Sequence, residues 1–161
     1  DHRRAALAAV IGVGLLLVYA GYQLLAGRSS SAPRYVYFVD EDHNDTVAVR
    51  AATDIPPIAN PAGGQWVWGI FFSCDACRSR KLAYLQMFTA EAKGILDAAL
   101  RANPHLGPGE MPSALRDGAL VRRPGPGQHW VPEMSAEGQQ IVRAVQCDDP
   151  TQLQICGPAQ P

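Results

Sequence analysis

The sequence predicts an α+β fold, with an N-terminal transmembrane helix followed by one small, loop-rich extracytoplasmic domain of hairpins and two helices. Three observations lead there. Residues 5–26 are an apolar run without a single charged side chain. The rest of the chain alternates between short strand-forming stretches and helix-forming ones. Those stretches are punctuated by most of the chain's 15 glycines and 13 prolines, a content that favours loops over long regular elements.

At 1.5 Å per residue the run 5–26 spans roughly 30 Å, the thickness of a bilayer's hydrocarbon core. A secretory signal has a shorter apolar region, about 7–15 residues. Arg3 and Arg4 stand tight against the start of the run, with Arg28 and Arg34 beyond its end. The first pair is read as the cytoplasmic anchor. The chain is then expected in the inner (cytoplasmic) membrane, single-pass, with its bulk extracytoplasmic. Tyr19 and Tyr22 suit the interfacial aromatic belt at the outer end. Residues 27–34, "GRSSSAPR", form a linker, and residues 35–161 the extracytoplasmic α+β domain.

Within that domain "YVYFV" (35–39) and "TVAVRA" (46–51) are strand formers around the polar loop "DEDHND", a hairpin. "TDIPPIANPAGG" (53–64) is a proline-fixed crossing that cannot be helical. "QWVWGIFFS" (65–73) is the most apolar stretch outside the span and reads as the central strand, with a Cys-x-x-C at its end. After Cys77 the pattern forks, since "RSRKLAYLQMF" fits a returning strand or the start of a helix. Thr89 is placed to cap a helix over 90–102, with Ile95, Leu96, Ala99 and Leu100 inward. Asn103-Pro104 ends it and an irregular stretch follows. "ALVRRPGPGQHWVP" (119–132) reads as a second hairpin turning at 124–128. Ser135 caps a last helix, "AEGQQIVRAV", and Cys147 and Cys156 bracket an irregular tail.

The formal net charge of −1 gives no reason to expect nucleic acid, and the basic residues lack interleaved stacking aromatics. There is no Gly-x-Ser-x-Gly, no His-Glu-x-x-His and no phosphate-binding glycine loop, and no small-molecule substrate is identified. Asp40, Asp42 and Asn44 match the first positions of a calcium loop, but Asp45 stands where glycine belongs and Ala51 where a bidentate glutamate belongs. A solvated hairpin turn is the reading preferred. His43, His105 and His129 fall in or beside loops and read as surface residues. No catalytic residue is assigned.

The chemistry therefore rests on Cys74, Cys77, Cys147 and Cys156. A zinc site takes four soft ligands in a tetrahedron, and a Cys-x-x-C knuckle between two strands supplies half of one, so these four are the expected metal ligands. Two structural disulfides are the alternative of nearly equal standing and suit an exported, loop-rich domain, with connectivity left open. A third reading is redox. A thioredoxin-like fold puts a Cys-x-x-C at a helix N-terminus, where the dipole lowers the first thiol's pKa. Cys74 would then be the nucleophile and Cys77 the resolving thiol.

"DIPPIANPAG", "FSCDAC", "LAYLQMFTAEAK", "HWVPEMSAEGQQIV" and the late Cys pair together resemble an uncharacterised family of small, single-pass, membrane-anchored proteins of planctomycete-type bacteria. Its pattern includes an IPPI segment, a Ser-Cys-x-x-Cys and a late cysteine pair. The resemblance covers about residues 35–156 and implies that the four cysteines belong to a common framework. It implies no activity. Phe88 stands where the pattern has Tyr. The expected function is a membrane-anchored binding or scaffold domain stabilised by the four-cysteine site, with an envelope or secretion assembly as partner. The alternative is a membrane-tethered thiol–disulfide oxidoreductase.

Overall fold

One eight-stranded sheet organises the computed structural model, which describes residues 35–103 and 114–159. The expected membrane span 5–26, the linker 27–34 and His105 lie outside the described residues. Among those described, no helix is long and apolar enough to cross a membrane. The strands are β1 (Tyr35–Asp40), β2 (Val47–Ala51), β3 (Ile58–Ala59), β4 (Gln65–Ser73), β5 (Lys81–Phe88), β6 (Ala119–Arg122), β7 (Val131–Pro132) and β8 (Gln154–Cys156). The helices are α1 (Ala90–Ala102), α2 (Ala114–Gly118) and α3 (Ala136–Arg143). Every strand pair is antiparallel, so the fold is an α+β arrangement dominated by one antiparallel sheet.

The two expected hairpins form, β1 with β2 and β6 with β7. The fork after Cys77 resolves to a strand. Lys81–Phe88 pairs with β4 on one side and β6 on the other, with Gly69 opposite Leu85 and Leu85 opposite Arg122. Local pattern could not decide this; two neighbouring strands do. The irregular tail contributes β8, and the proline-fixed crossing contributes β3.

β4 is the centre. Trp66 pairs with both Asp40 of β1 and Ile58 of β3, so those strands lie on opposite edges. Phe71 and Phe72 pair with β5 and also with β8, so β8 continues the edge that β1 begins. Burial alternates along β4. Val67, Gly69, Phe71 and Ser73 are buried, whereas Trp66, Trp68, Ile70 and Phe72 are half-buried. Both faces are therefore covered, in different ways.

One face carries the helices. Phe88 and Ala119, paired across β5 and β6, pack with Ala92 and Leu96 of α1 and with Ile55, and Trp68 meets Phe88 edge to face with centroids 5.4 Å apart. Val121, two residues along β6 on the same face, packs with Val131, Ile141 of α3 and Tyr84. The two expected helices, α1 and α3, start where expected, and α2 is a short third helix in the stretch read as irregular. Thr89 Oγ1 accepts from the Ala92 amide at 3.3 Å, and Ser135 Oγ from the Gly138 amide at 3.0 Å.

The other face holds Tyr37, Val39, Val67, Phe71, Leu85 and Cys156, covered by Cys77, Leu82, Met87 and Trp130 from turns and strands. Gly69 lies beneath this cluster because Val39 crosses it. A β-carbon there would overlap Val39 Cγ2 and touch the Phe71 ring at 3.0 Å.

Gly69→Ala is expected to lower unfolding free energy by about 1–3 kcal/mol through overpacking. Gly94→Ala is the matched control. It sits in α1 with nothing within 4 Å of the added β-carbon, and should raise stability by about 0.5–1 kcal/mol. Urea unfolding midpoints of the two variants, moving in opposite directions, check both.

Candidate functional site

The chain must reverse between Ser73, the end of β4, and Lys81, the start of β5. Ser73 organises that reversal. Its buried hydroxyl accepts from the amides of Asp75 at 3.0 Å and Cys77 at 3.1 Å, and donates to the Asp75 carboxylate. That carboxylate in turn accepts from the Ser79 amide at 2.9 Å and from the Ser79 hydroxyl. The hydrogen bond from Ser73, followed by those from Ser79, holds the Asp75 carboxyl well below the usual carboxylate range. The turn also places two consecutive non-glycine residues in the left-handed region, Ala76 at φ 59° and Cys77 at φ 62°. Each costs on the order of 1 kcal/mol, offset by the surrounding hydrogen bonds and cross-links.

With this turn fixed, the two cysteines reach different points of the tail. Cys74 is bonded to Cys147 and Cys77 to Cys156, with Cα separations of 5.7 and 5.8 Å. The bonds join residues 73 and 79 positions apart. β8 sits in register with the end of β4, Cys156 opposite Phe71, so hydrogen bonding and cross-linking fix the same segment. Tyr37 braces the assembly from below. Its hydroxyl donates to the Gly157 carbonyl at 3.4 Å, accepts from Arg80, and its ring lies 4.8 Å under the Arg80 guanidinium.

The structure thus brings together all four cysteines singled out in the sequence, as two disulfides. The zinc reading finds no support. A sulfur bonded to another sulfur has no thiolate to give a metal. Among the described residues no group of three or more His, Cys, Asp or Glu is placed to hold a metal ion. Nor does the Cys-x-x-C occupy a helix N-terminus, because the residues that follow it form β5.

A second polar centre lies at the opposite end of the sheet. Asp40, buried at the end of β1, accepts from the amides of Asp42 and His43, both at 2.9 Å, and from the Asn60 side-chain amide. Burial pushes its carboxyl up, but the hydrogen bonds from His43, Asp42 and Asn60 outweigh burial and hold it below its ordinary value. The carboxylate of this partial calcium-loop motif is thus satisfied by protein donors. Asn44 closes the same loop, giving its amide to the carbonyls of Asp40 and Glu41 and accepting from the Gly125 amide at 2.7 Å.

Glu41 extends the contact to the second hairpin. Its Oε1 accepts from Trp130 Nε1 at 2.7 Å and lies 3.5 Å from Arg122 Nη1, while Arg122 Nη2 donates to its carbonyl at 2.6 Å. The Arg122 guanidinium lies 5.0 Å over the Trp130 ring. The acidic loop, expected as a solvated turn, is therefore clamped between the two hairpins. The sequence reading placed Ser73 in the Ser-Cys-x-x-Cys pattern but gave it no part in shaping the turn, and it did not join Glu41 to Arg122 and Trp130. Ser73 and Asp75 carry a local signal, hydroxyl and carboxylate within reach of amides two to four residues on. Glu41 and Arg122 are 81 residues apart and carry none. His43 and His129 are exposed, His129 lying 3.1 Å from Glu137.

No protein-family model matches the chain, and no curated protein or solved structure matches it.

Ser73→Ala removes the acceptor for two amides inside the turn and is expected to destabilise by about 1–3 kcal/mol in chemical denaturation. Asp40 sets a pH dependence. Its folded carboxyl lies below the unfolded value of about 3.9, so its contribution is complete above that pH and is lost as pH falls through the folded value. Asp40→Asn should therefore lower the melting temperature at neutral pH and flatten the decline in stability below about pH 4. Thermal melts across that range check the sign.

Proposed function

We propose that the chain is a membrane-anchored, extracytoplasmic binding or scaffold domain, held in shape by two disulfides and partnered with an envelope or secretion assembly. The observation that carries this reading is the pairing of the cysteines. Both members of the Cys-x-x-C are joined to the tail, and neither to the other. Cross-links of this kind persist in oxidising compartments. They close long loops, and in the chain-entropy model a loop of 79 residues is worth about 4.5 kcal/mol. The apolar run 5–26 supplies the tether. The resemblance to the planctomycete-type family is in keeping with the same framework role.

The oxidoreductase alternative gains no specific support. A dithiol catalyst cycles a close pair on an exposed turn, with a depressed pKa on the attacking thiol. Here Cys77 and Cys156 pack into the core cluster with Tyr37 and Phe71. Cycling that bond would open the core. Cys74 and Cys147 hold the first residue of the turn to the tail.

The test uses the full chain in membranes. A maleimide that cannot cross the membrane should label none of its four cysteines before reduction and all four after reduction under denaturing conditions. Labelling of the native protein would overturn the oxidised reading. Replacing Cys77 and Cys156 together by Ser should lower the unfolding free energy by roughly 3–4 kcal/mol. The wild-type chain should not accelerate insulin reduction by dithiothreitol, and acceleration lost in Cys74→Ser would revive the catalyst.

A further inference from the structure

Among the described residues β2 pairs with β1 alone, which leaves its other edge open. The other edge strands are short. β3 and β7 are two residues long, with Pro132 in β7, and β8 is three. β2 is five residues long, keeps one continuous register with β1, and holds neither proline nor lysine. The hairpin fixes which main-chain groups face that edge. The Asp40 amide donates to the Thr46 carbonyl at 3.0 Å, so Asp40 and Thr46 are a hydrogen-bonded pair. Such pairs alternate along an antiparallel ladder. Ala48 and Arg50 therefore turn their amides and carbonyls to β1, and Val47 and Val49 turn theirs outward. Ala51 belongs to the outward set, and its carbonyl accepts from the Asp54 amide at 3.0 Å in the turn beyond β2.

The residues with outward main-chain groups also carry exposed apolar side chains. Val47 is 43% exposed and Val49 52%. They stand opposite Val39 and Tyr37, both buried, on the face away from α1 and α3. The row that joins buried Val67 to buried Val39 thus runs out through Val47 into solvent. The charged groups on and beside this edge are Asp45, Arg50 and Asp54. Arg50 lies on the other face, 5.6 Å over the Phe38 ring, and is paired with Asp54 at 2.9 Å. Asp45 is exposed in the hairpin loop.

We propose that β2 pairs with β2 of a second copy of this chain, antiparallel about a two-fold axis at Ala48, so that one sheet runs through both copies. Val47 then faces Val49 of the second copy, and symmetry repeats the contact. Each such pair exchanges amide–carbonyl bonds in both directions and shields its valines from water. The neighbouring registers match less well. Centring on Val49 sets Val47 against Ala51 and brings the two Arg50 side chains diagonally together. Centring on Val47 sets Val49 against Asp45. Centred on Ala48, Arg50 faces Thr46 and no like charges face each other. The edge is thus complementary to itself in hydrogen bonding, apolar contact and charge at one register, which is what a second copy offers and a foreign strand would have to match. A single strand pair buries less than the roughly 1,200 Å² of a stable interface, so association rises with concentration. Self-pairing gives the scaffold reading its first partner, and it rests on the β1–β2 hairpin rather than on the tether.

The test is amide hydrogen exchange on the oxidised full chain in non-ionic detergent, with protein mass read by sedimentation over a concentration series. At low concentration Ala48 and Arg50 should exchange slowly and Val47 and Val49 fast, as the ladder dictates. As concentration rises, exchange at Val47 and Val49 should slow in step with a doubling of the protein mass. Val49→Lys sets a lysine against Val47 of the second copy and should return both readings to those of a single chain. Its melting temperature should match wild type at low concentration, because the side chain is exposed. Met134→Lys, at another exposed apolar residue, should change neither reading. The wild-type series decides alone if Val49→Lys does not fold. Fast exchange at Val47 and Val49 at every concentration overturns the proposal, whether the mass is that of one chain or of two. Slow exchange in a single chain overturns it as well, by assigning the edge to another segment of the same molecule. Slowing only on addition of a different protein overturns the second copy in favour of a foreign strand.

Discussion

The hydrogen bonds of β4 run to four strands at once, and the rest of the domain depends on that. At its start β4 holds β3 and β1 on opposite edges; at its end it holds β5 and β8. β3 is two residues long and β8 three. Neither is long enough to be stable by itself, so each exists because β4 offers an unpaired edge at the right place. The apolar sequence of β4, "QWVWGIFFS", suits a strand covered on both faces. Gly69 in its middle admits Val39, which links the core beneath β1 to the core beneath β5.

The two faces of the sheet are closed by different physics. On one, α1 and α3 bring amphipathic faces that satisfy their own backbone groups and bury Leu96 and Ile141. On the other, the cover is a tight turn, a tail and the indole of Trp130. Irregular chain has no internal ladder to hold it, and its ordering carries the full conformational entropy cost. Both disulfides lie at the end of β4 where the tail is held against it. The clamp of Glu41, Arg122 and Trp130 reaches the same face from the far end. Arg122 Nε has no hydrogen-bond partner there, so its stacking on Trp130 and its two bonds to Glu41 must offset that loss.

What was legible in the sequence follows from range. The strands at 35–39, 46–51 and 65–73 declare themselves by β-branched and aromatic residues, and the caps Thr89 and Ser135 by a hydroxyl three residues before an amide. Those signals are local and the structure agrees with them. "KLAYLQMF" carries no decisive local period, and its identity as β5 comes from β4 and β6. The pairing of Cys74 with Cys147 and of Cys77 with Cys156 is longer-range still. Four cysteines admit three pairings or one metal site, and spacing does not separate them. What separates them is β8, a three-residue strand in a stretch that reads as irregular.

The left-handed pair Ala76 and Cys77 ties these scales together. Left to itself a Ser-Cys-Asp-Ala-Cys segment has no reason to adopt that shape. Ser73 and Asp75 make it locally affordable by hydrogen bonds, but those bonds alone leave the side chain of Cys77 free to sample other turns. The bond to Cys156 removes that freedom, and Cys156 is in position because β8 pairs with Phe71 and Phe72. Turn, cross-link and strand are each weak alone. They share Cys77 and Ser73, so loss of one raises the free energy of the other two, and the end of the domain that carries β8 behaves as one cooperative unit.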